Sequence, residues 1–253
     1  MQTETPDRTD GAVRHIGLET AGSTNAEALA RARAGERGPL WITAKTQTAG
    51  RGRGGRTWVS PPGNLYATLL LTEPCEIGHA PQLAFVAGVA AHDAVAQCAP
   101  GLAHKLALKW PNDLLLGGSK LAGILIESEG APALTLAIGI GMNCAAHPDD
   151  TAYPATNLAA AGMHIAPSTL FAALTDAMQR RLAQWSRGEG FGDIRRDWLA
   201  RAAGLGQQIS VRLPERAFTG RFEGVDETGR LLLMHADGVS AITAGDVFGL
   251  GGP

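Results

Sequence analysis

Residues 106–127 read LALKWPNDLLLGGSKLAGILIE, three short apolar runs in which a glycine-rich turn separates the last two. Residues 113–116 and 120–127 are predicted strands. Gly117-Gly118-Ser119 between them is a hairpin signal, because tight hairpin turns need backbone with φ > 0. Residues 106–110 form a further short strand. The centre of the chain therefore predicts an antiparallel sheet.

Elements of both kinds surround this hairpin. Strands are predicted at 15–20, 40–45, 65–72 and 134–141. Ser23-Thr24-Asn25 supplies capping hydroxyls for a helix that ends at Gly35. Further helices are predicted over 81–98, from Ser168 onward with apolar residues at helical spacing, and over 194–203. Strands mixed with helices in this way predict an α+β domain.

The sequence pattern changes after Gly204. Short strand-like runs at 209–213, 218–225, 231–234 and 241–242 are separated by turn residues. About 50 residues of this kind are typical of a small β-barrel. The expected organisation is a flexible N-terminus at 1–13, a catalytic domain at 14–203 and a β domain at 204–253.

Composition excludes several classes of protein. A net charge of −2 argues against bulk nucleic-acid binding. Three cysteines without CxxC or CxxH spacing favour a reducing cytoplasm and argue against zinc. Neither a signal peptide nor an 18-residue apolar span is present in the sequence, so no membrane partner is expected.

The segment GRGRGGRTW, residues 50–58, alternates glycine and arginine before a tryptophan. It lies in an interval, residues 37–72, that contains no Asp or Glu. Arginine presents planar donors that match phosphate or carboxylate, and glycine allows close backbone approach. The segment predicts an anion-binding loop that is mobile when empty. The alternative is a solvated basic surface loop.

Two polar motifs accompany the loop. In KWPND, Asn112 and Asp113 begin a strand, and Lys120 begins its partner among apolar neighbours. The Lys120 ammonium must therefore reach solvent or meet an anion. In GIGMN, residues 139–143, spaced glycines let a flat group lie on the backbone, and Asn143 offers a donor and an acceptor. The alternatives are a hairpin with a surface lysine and an ordinary strand end.

Taken together, GRGRGGRTWVSPPGNLY, KWPNDLLLGGSKLAGILIE and GIGMN resemble the biotin protein ligase family from about residue 14 to the end of the chain. The resemblance implies a mixed, mainly antiparallel sheet packed with helices, of the class II synthetase-like type, and a C-terminal SH3-like β-barrel. It implies activation of biotin with ATP and Mg²⁺ to biotinyl-5′-AMP. Transfer to a lysine of the biotin carboxyl carrier protein follows.

The resemblance also implies roles for individual residues. Catalysis is expected from Lys120, Arg53 and Asp113. Biotin binding is expected from Ser23, Thr24, Asn25, Gln47, Arg51, Gly52, Arg53, Lys120, Gly123 and Ile124. ATP or adenylate binding is expected from Arg53, Arg56, Trp58, Lys120 and Asn143. No metal ligand is predicted on the chain itself.

One residue departs from the family pattern: Gly54 stands where the family commonly has another arginine. The motifs begin at about residue 20, which leaves no room for the DNA-binding domain of many bacterial members, so a repressor function is not expected. A monomer or weak homodimer in the cytoplasm is expected. The alternatives are a lipoate–protein ligase or octanoyltransferase of the same fold, and a biotin-sensing regulator.

Overall fold

The structure is a computed structural model that describes residues 13–130, 133–149, 151, 153–213 and 215–249. Apart from Val13, the predicted flexible N-terminus lies outside the described residues. The helices are α1 (Thr24–Arg33), α2 (Leu83–Cys98), α3 (Pro167–Trp185) and α4 (Phe191–Leu199). Within these ranges, no helix has the length and apolar character needed to cross a membrane.

Seven strands form the main sheet in the order β1-β2-β3-β7-β6-β5-β4. They are β1 (Arg14–Ala21), β2 (Leu40–Gln47), β3 (Leu65–Thr72), β4 (Leu106–Lys109), β5 (Asp113–Leu116), β6 (Ser119–Glu129) and β7 (Thr135–Met142). Only β1 and β2 run parallel, because α1 carries the chain back between them; the other pairs are antiparallel. The predicted mixed, mainly antiparallel sheet is confirmed.

Helices cover both faces of this sheet. On one face, α1 packs Ala28 and Leu29 against Leu40, Ile42 and Leu70. On the other face, α2 and α3 pack with the alternate side chains of the same strands, such as Trp41 and Leu69. Strand β3 is consequently buried along almost its whole length, which explains its continuous apolar sequence.

A charged network ties the helices α2, α3 and α4 together. Arg181 on α3 donates to Asp93 on α2 at 2.7 and 2.8 Å and to Asp197 on α4 at 2.5 Å. Burial alone would raise the pKa of Asp93. Hydrogen bonds from His92 and Arg181, together with nearby arginines, outweigh burial and lower this pKa below its ordinary value.

Five antiparallel strands form a second sheet in the order β11-β10-β9-β8-β12. They are β8 (Gln208–Arg212), β9 (Ala217–Val225), β10 (Leu231–His235), β11 (Gly238–Ile242) and β12 (Asp246–Phe248). An antiparallel C-terminal β module is confirmed. Among the described residues, however, the sheet is not closed into the predicted barrel. The edge strands β11 and β12 pair with β10 and β8, respectively, and not with each other. The run of three residues in β12 was too short to be predicted from sequence.

Candidate active site

A cavity of about 430 Å³ lies between the loop of residues 50–58, the β5–β6 hairpin and strand β12. Its volume falls in the range of small-molecule sites. Nine predicted site residues line it: Gly52, Arg53, Arg56, Trp58, Asp113, Lys120, Gly123, Ile124 and Asn143. We call this space the large cavity.

A much smaller pocket of about 40 Å³ adjoins the large cavity. The remaining predicted residues line this small pocket: Ser23, Thr24, Asn25, Gln47 and Arg51. Trp58 and Gly123 line both spaces, so the two meet at these residues. The structure therefore brings all the predicted site residues into one continuous region.

The polar groups of the small pocket form a chain of hydrogen bonds. Gln47 Oε1 accepts from the Thr24 backbone N–H at 2.8 Å, and Gln47 Nε2 donates to Ser60 at 3.0 Å. Asn25 Nδ2 donates to Glu127 at 2.9 Å. Because these amides are fixed from several sides, they present a preset pattern of donors and acceptors to a ligand.

Thr68 connects the two ends of this chain and was missed by the sequence reasoning. Its hydroxyl lies 2.8 Å from Thr24 Oγ1 and 2.7 Å from Asn25 Oδ1, and the residue is fully buried. The signal was available: Thr68 is the only hydroxyl residue within the apolar run ATLLL, residues 67–71 of strand β3. A lone hydroxyl in such a run needs a polar partner.

Two glycines form a platform for the Trp58 indole. Gly123 on β6 pairs with Gly141 on β7, and both lie beneath the ring. A Cβ added at Gly141 would stand 2.6 Å from Trp58 Nε1, and one at Gly123 would stand 3.0 Å from the ring. The flat group predicted to lie on this backbone is therefore an indole of the chain itself. Its Nε1 is buried without a hydrogen-bond partner in the described part of the chain.

Asp113 lies between two lysines at the floor of the large cavity. Lys120 Nζ is 2.7 Å from Asp113 Oδ1, and Lys109 Nζ is 3.3 Å from Oδ2. Lys109 also lies over the Tyr153 ring, 3.5 Å from its centre. Burial lowers the pKa of Lys109, although Asp113 opposes this shift. The Lys120 ammonium has met an internal anion, which was one of the two outcomes expected from sequence.

Lys120 is positioned through its backbone as well. Its N–H donates to Pro154 O at 2.7 Å, and its carbonyl accepts from Thr156 N at 3.0 Å. Asn143 is buried and donates through Nδ2 to Thr156 O at 3.0 Å. The segment that follows β7 therefore fixes both Lys120 and Asn143 at the cavity wall.

All three arginines of the loop donate to acceptors of the chain itself. Arg51 donates to Glu127 at 2.9 Å, and Arg53 donates to Asn112 at 2.9 Å. Arg56 makes a bidentate pair with Asp246, with both bonds at 3.1 Å. Burial lowers the pKa of Arg53 despite the nearby Asp246 and Asp113 carboxylates. The arginine donors that the sequence assigned to an anion therefore have acceptors within the chain.

The loop turns tightly at Gly54 and Gly55, which have φ values of 62° and 75°. This left-handed backbone favours glycine over a side chain with Cβ. The departure at Gly54 is therefore matched to the local backbone, and a Cβ there would point into open space.

Asp246, Glu127 and Tyr153 were also missed by the sequence reasoning. Asp246 belongs to the β module and lines the large cavity, as does Tyr153. In sequence, Asp246 lies 190 residues from its partner Arg56. Local pattern carries no signal for a contact of that separation. Within the described ranges, no group of three or more His, Cys, Asp or Glu residues could hold a metal ion.

Comparison with known proteins identifies both parts of the chain. Residues 23–143 match the Biotin/lipoate A/B protein ligase family, and residues 204–249 match the Biotin protein ligase C terminal domain. The sequence is 44% identical over 239 residues to a biotin–[acetyl-CoA-carboxylase] ligase of Paracoccus denitrificans, covering 91% of this chain and 98% of that protein. A Mycobacterium tuberculosis protein of the same name is 33% identical over 89% of this chain and 85% of its own length.

Solved structures agree with these matches. The biotin protein ligase from Aquifex aeolicus in complex with biotin and ATP superposes with a TM-score of 0.78 at 26% identity, covering 92% of this chain and 97% of that one. The ligase from Leishmania major in complex with biotinyl-5-AMP gives a TM-score of 0.65 at 30% identity, covering 91% and 98%. On sequence, domain content and fold, the chain belongs to the biotin protein ligase family.

Proposed function

We propose that this chain activates biotin with ATP to give biotinyl-5′-AMP and then transfers biotin to a lysine of a biotin carboxyl carrier protein. The observation that carries the proposal is the junction of the two spaces. A small pocket lined by amides and hydroxyls opens, at Trp58 and Gly123, into a large cavity lined by cations. A neutral ring system and an anionic nucleotide would meet there.

Biotin would place its ureido ring in the small pocket. Ser23, Thr24, Asn25 and Gln47 supply both donors and acceptors, as a ureido group requires. Arg51 and Gly52 would close over the ligand, and Gly123 and Ile124 would form its wall. The biotin carboxylate would then point toward Lys120 in the large cavity.

The first chemical step joins two anions. The biotin carboxylate oxygen attacks the α-phosphorus of ATP, the bond from that phosphorus to the bridging oxygen breaks, and pyrophosphate leaves. Lys120 and Arg53 would stabilise charge on the phosphoryl oxygens, and Arg56 would contact phosphate. Trp58 would stack on adenine, and Asn143 would contact the adenylate.

Mg²⁺ bound with the triphosphate would neutralise part of its charge. Phosphate and water oxygens would supply the Mg²⁺ ligands, because each carboxylate oxygen of Asp113 already faces a lysine. Asp113 also fixes the Lys120 ammonium at the reaction centre. In the second step the acceptor amine attacks the acyl carbon and loses a proton, and AMP leaves.

A second function on this fold is opposed by the cysteines. An octanoyltransferase would need a thiolate nucleophile. Burial raises the pKa of Cys144 to about 11, and burial also raises the pKa of Cys75 and of Cys98. None of the three lines either space. The proposed ligase has its catalytic domain at residues 14–203 and a β domain at residues 204–253. It would act in the cytoplasm as a monomer or a weak homodimer.

The test supplies purified protein with radiolabelled biotin, ATP, Mg²⁺ and an apo carrier domain. We expect ATP-dependent label on one carrier lysine, with no competition from unlabelled lipoate. An unlabelled carrier, together with transfer when labelled lipoate is supplied, would favour the lipoate ligase. Adenylate that forms and stays bound without transfer would favour a regulator.

A further inference from the structure

We propose that Asp246, in the C-terminal β module, is a positioning residue that competes with a nucleotide phosphate for the bidentate edge of Arg56 and thereby sets the nucleotide affinity. The inference rests on the proposed function, because it assumes that a nucleotide binds in the large cavity.

The geometry of the Arg56–Asp246 pair is that of a phosphate contact. Arg56 Nη1 and Nη2 donate in parallel to the two carboxylate oxygens of Asp246, both at 3.1 Å. Arginine uses the same fork to bind phosphate. The third donor direction is also used, since Arg56 Nε donates to Arg53 O at 2.9 Å. A phosphate that takes the bidentate edge must therefore displace Asp246.

The β module also contacts a second arginine of the loop, through its backbone. Arg53 Nη2 donates to Gly245 O at 3.3 Å, next to Asp246 in the chain. Residues 245 and 246 thus form a latch that ties the loop to the β module until an anion replaces it.

The Arg56–Asp246 pair is exposed enough for a phosphate to replace the carboxylate. The Arg56 and Asp246 side chains are 51% and 35% exposed, so neither charge is trapped in the interior. Exposed pairs of this kind are weak and are screened by salt. A triphosphate carries more charge than one carboxylate and can replace it. Removal of the Asp246 charge should therefore strengthen nucleotide binding and free the loop when no ligand is present.

The experiment measures binding of α,β-methylene ATP with Mg²⁺, a probe that cannot release pyrophosphate at the α-phosphate. We expect Asp246→Asn to lower the dissociation constant at least threefold, and Asp246→Glu, which keeps the charge, to stay within twofold of wild type. Glu223→Gln is the matched control. It removes a carboxylate that pairs with Arg221 in the same sheet, outside the large cavity.

Two further measurements test whether Asp246 acts through its contact with Arg56. In an Arg56→Met background, Asp246→Asn should no longer strengthen binding, since the two residues act through one contact. Without nucleotide, trypsin should cut the loop after Arg51, Arg53 or Arg56 at least threefold faster in Asp246→Asn than in Glu223→Gln.

Unchanged or weaker probe binding by Asp246→Asn would overturn the proposal, as would a gain that persists in Arg56→Met. Weakening seen only when Mg²⁺ is present would instead make Asp246 a metal ligand and overturn it too. If wild type fails to bind the probe at all, the proposed function is contradicted. In that case the trypsin comparison still decides whether the latch exists.

Discussion

Replacement of Thr68 by valine should weaken biotin binding as well as lower the stability of the protein. The change keeps the side-chain shape and removes one hydroxyl from a fully buried position on strand β3. Asn25 Oδ1 then loses the hydrogen bond that it accepts at 2.7 Å, and Thr24 loses a neighbour at 2.8 Å. Leaving a buried acceptor without its partner costs about 1–3 kcal/mol.

Part of this cost appears in the empty protein. We expect the free energy of unfolding to fall by about 1–2 kcal/mol, which corresponds to roughly 2–8 °C in Tm for a chain of this size. The rest appears on binding, because Thr24 and Asn25 no longer hold each other in the geometry that a ureido ring needs. Biotin affinity should fall about tenfold, equivalent to about 1.4 kcal/mol.

The control variant makes the same chemical change on the same strand. Thr72 Oγ1 accepts from the Gly38 N–H at 2.9 Å, away from both spaces. Thr72→Val should lower the unfolding free energy and leave biotin affinity unchanged. Calorimetric titration with biotin and denaturant unfolding measure the two quantities. If Thr68→Val loses stability but binds biotin as wild type does, Thr68 does not organise the pocket and the reasoning is refuted.

Three other perturbations test separate contacts. Gly141→Ala should push the Trp58 indole away from the strand by about 1 Å, the shift needed to restore ordinary van der Waals distance. This should shift tryptophan fluorescence and weaken adenylate formation. Gly101→Ala is the control, because its Cβ would meet open space and neither readout should change. Lys120→Ala should slow adenylate formation at least about tenfold, which corresponds to a loss of about 1.4 kcal/mol of transition-state stabilisation. The control is Lys45→Ala, at an exposed lysine. Equal rates in the two variants would remove Lys120 from the mechanism. The lowered pKa of Asp93 contributes stability that is complete above its unfolded pKa of about 4 and is lost as the pH falls through its lower folded value. Asp93→Asn should therefore be less stable than wild type at pH 7 and lose less stability between pH 5 and 2 in denaturant unfolding; parallel curves for the two proteins would contradict this.

The sequence predicts those features that depend on neighbours in the chain. Gly117 and Gly118 form the hairpin turn with φ values of 58° and 80°, as their composition indicated. Ser23 caps α1, accepting from Ala26 N at 3.5 Å. Both features follow from local backbone chemistry, so a single sequence is enough to find them.

Features that depend on distant segments were not predictable in this way. Asp246 meets Arg56, and Glu127 meets both Arg51 and Asn25, only because separate strands bring them together. The motifs predicted side chains that line the two adjoining spaces, but they did not show that the chain places its own carboxylates there. The predicted anion-binding loop was based on the arginines alone, without these internal partners.

Internal anions change the energetics of substrate binding. Free cations gathered at an empty site would repel one another, and each would gain from any passing anion. Here Glu127 pairs with Arg51, Asp246 with Arg56, and Asp113 with both lysines. If a nucleotide phosphate replaces Asp246 at Arg56, as proposed, its affinity depends on the difference between a carboxylate contact and a phosphate contact.

Glu127 extends this exchange to the small pocket. The same oxygen, Oε2, accepts from Asn25 and from Arg51, both at 2.9 Å. A ligand that turns the Asn25 amide toward itself alters the acceptor that holds the first arginine of the loop. Ser60 makes the corresponding link at the other end, since it accepts from Gln47 and donates to Trp58 O. Hydrogen bonds therefore connect the small pocket to both ends of the loop that borders the large cavity.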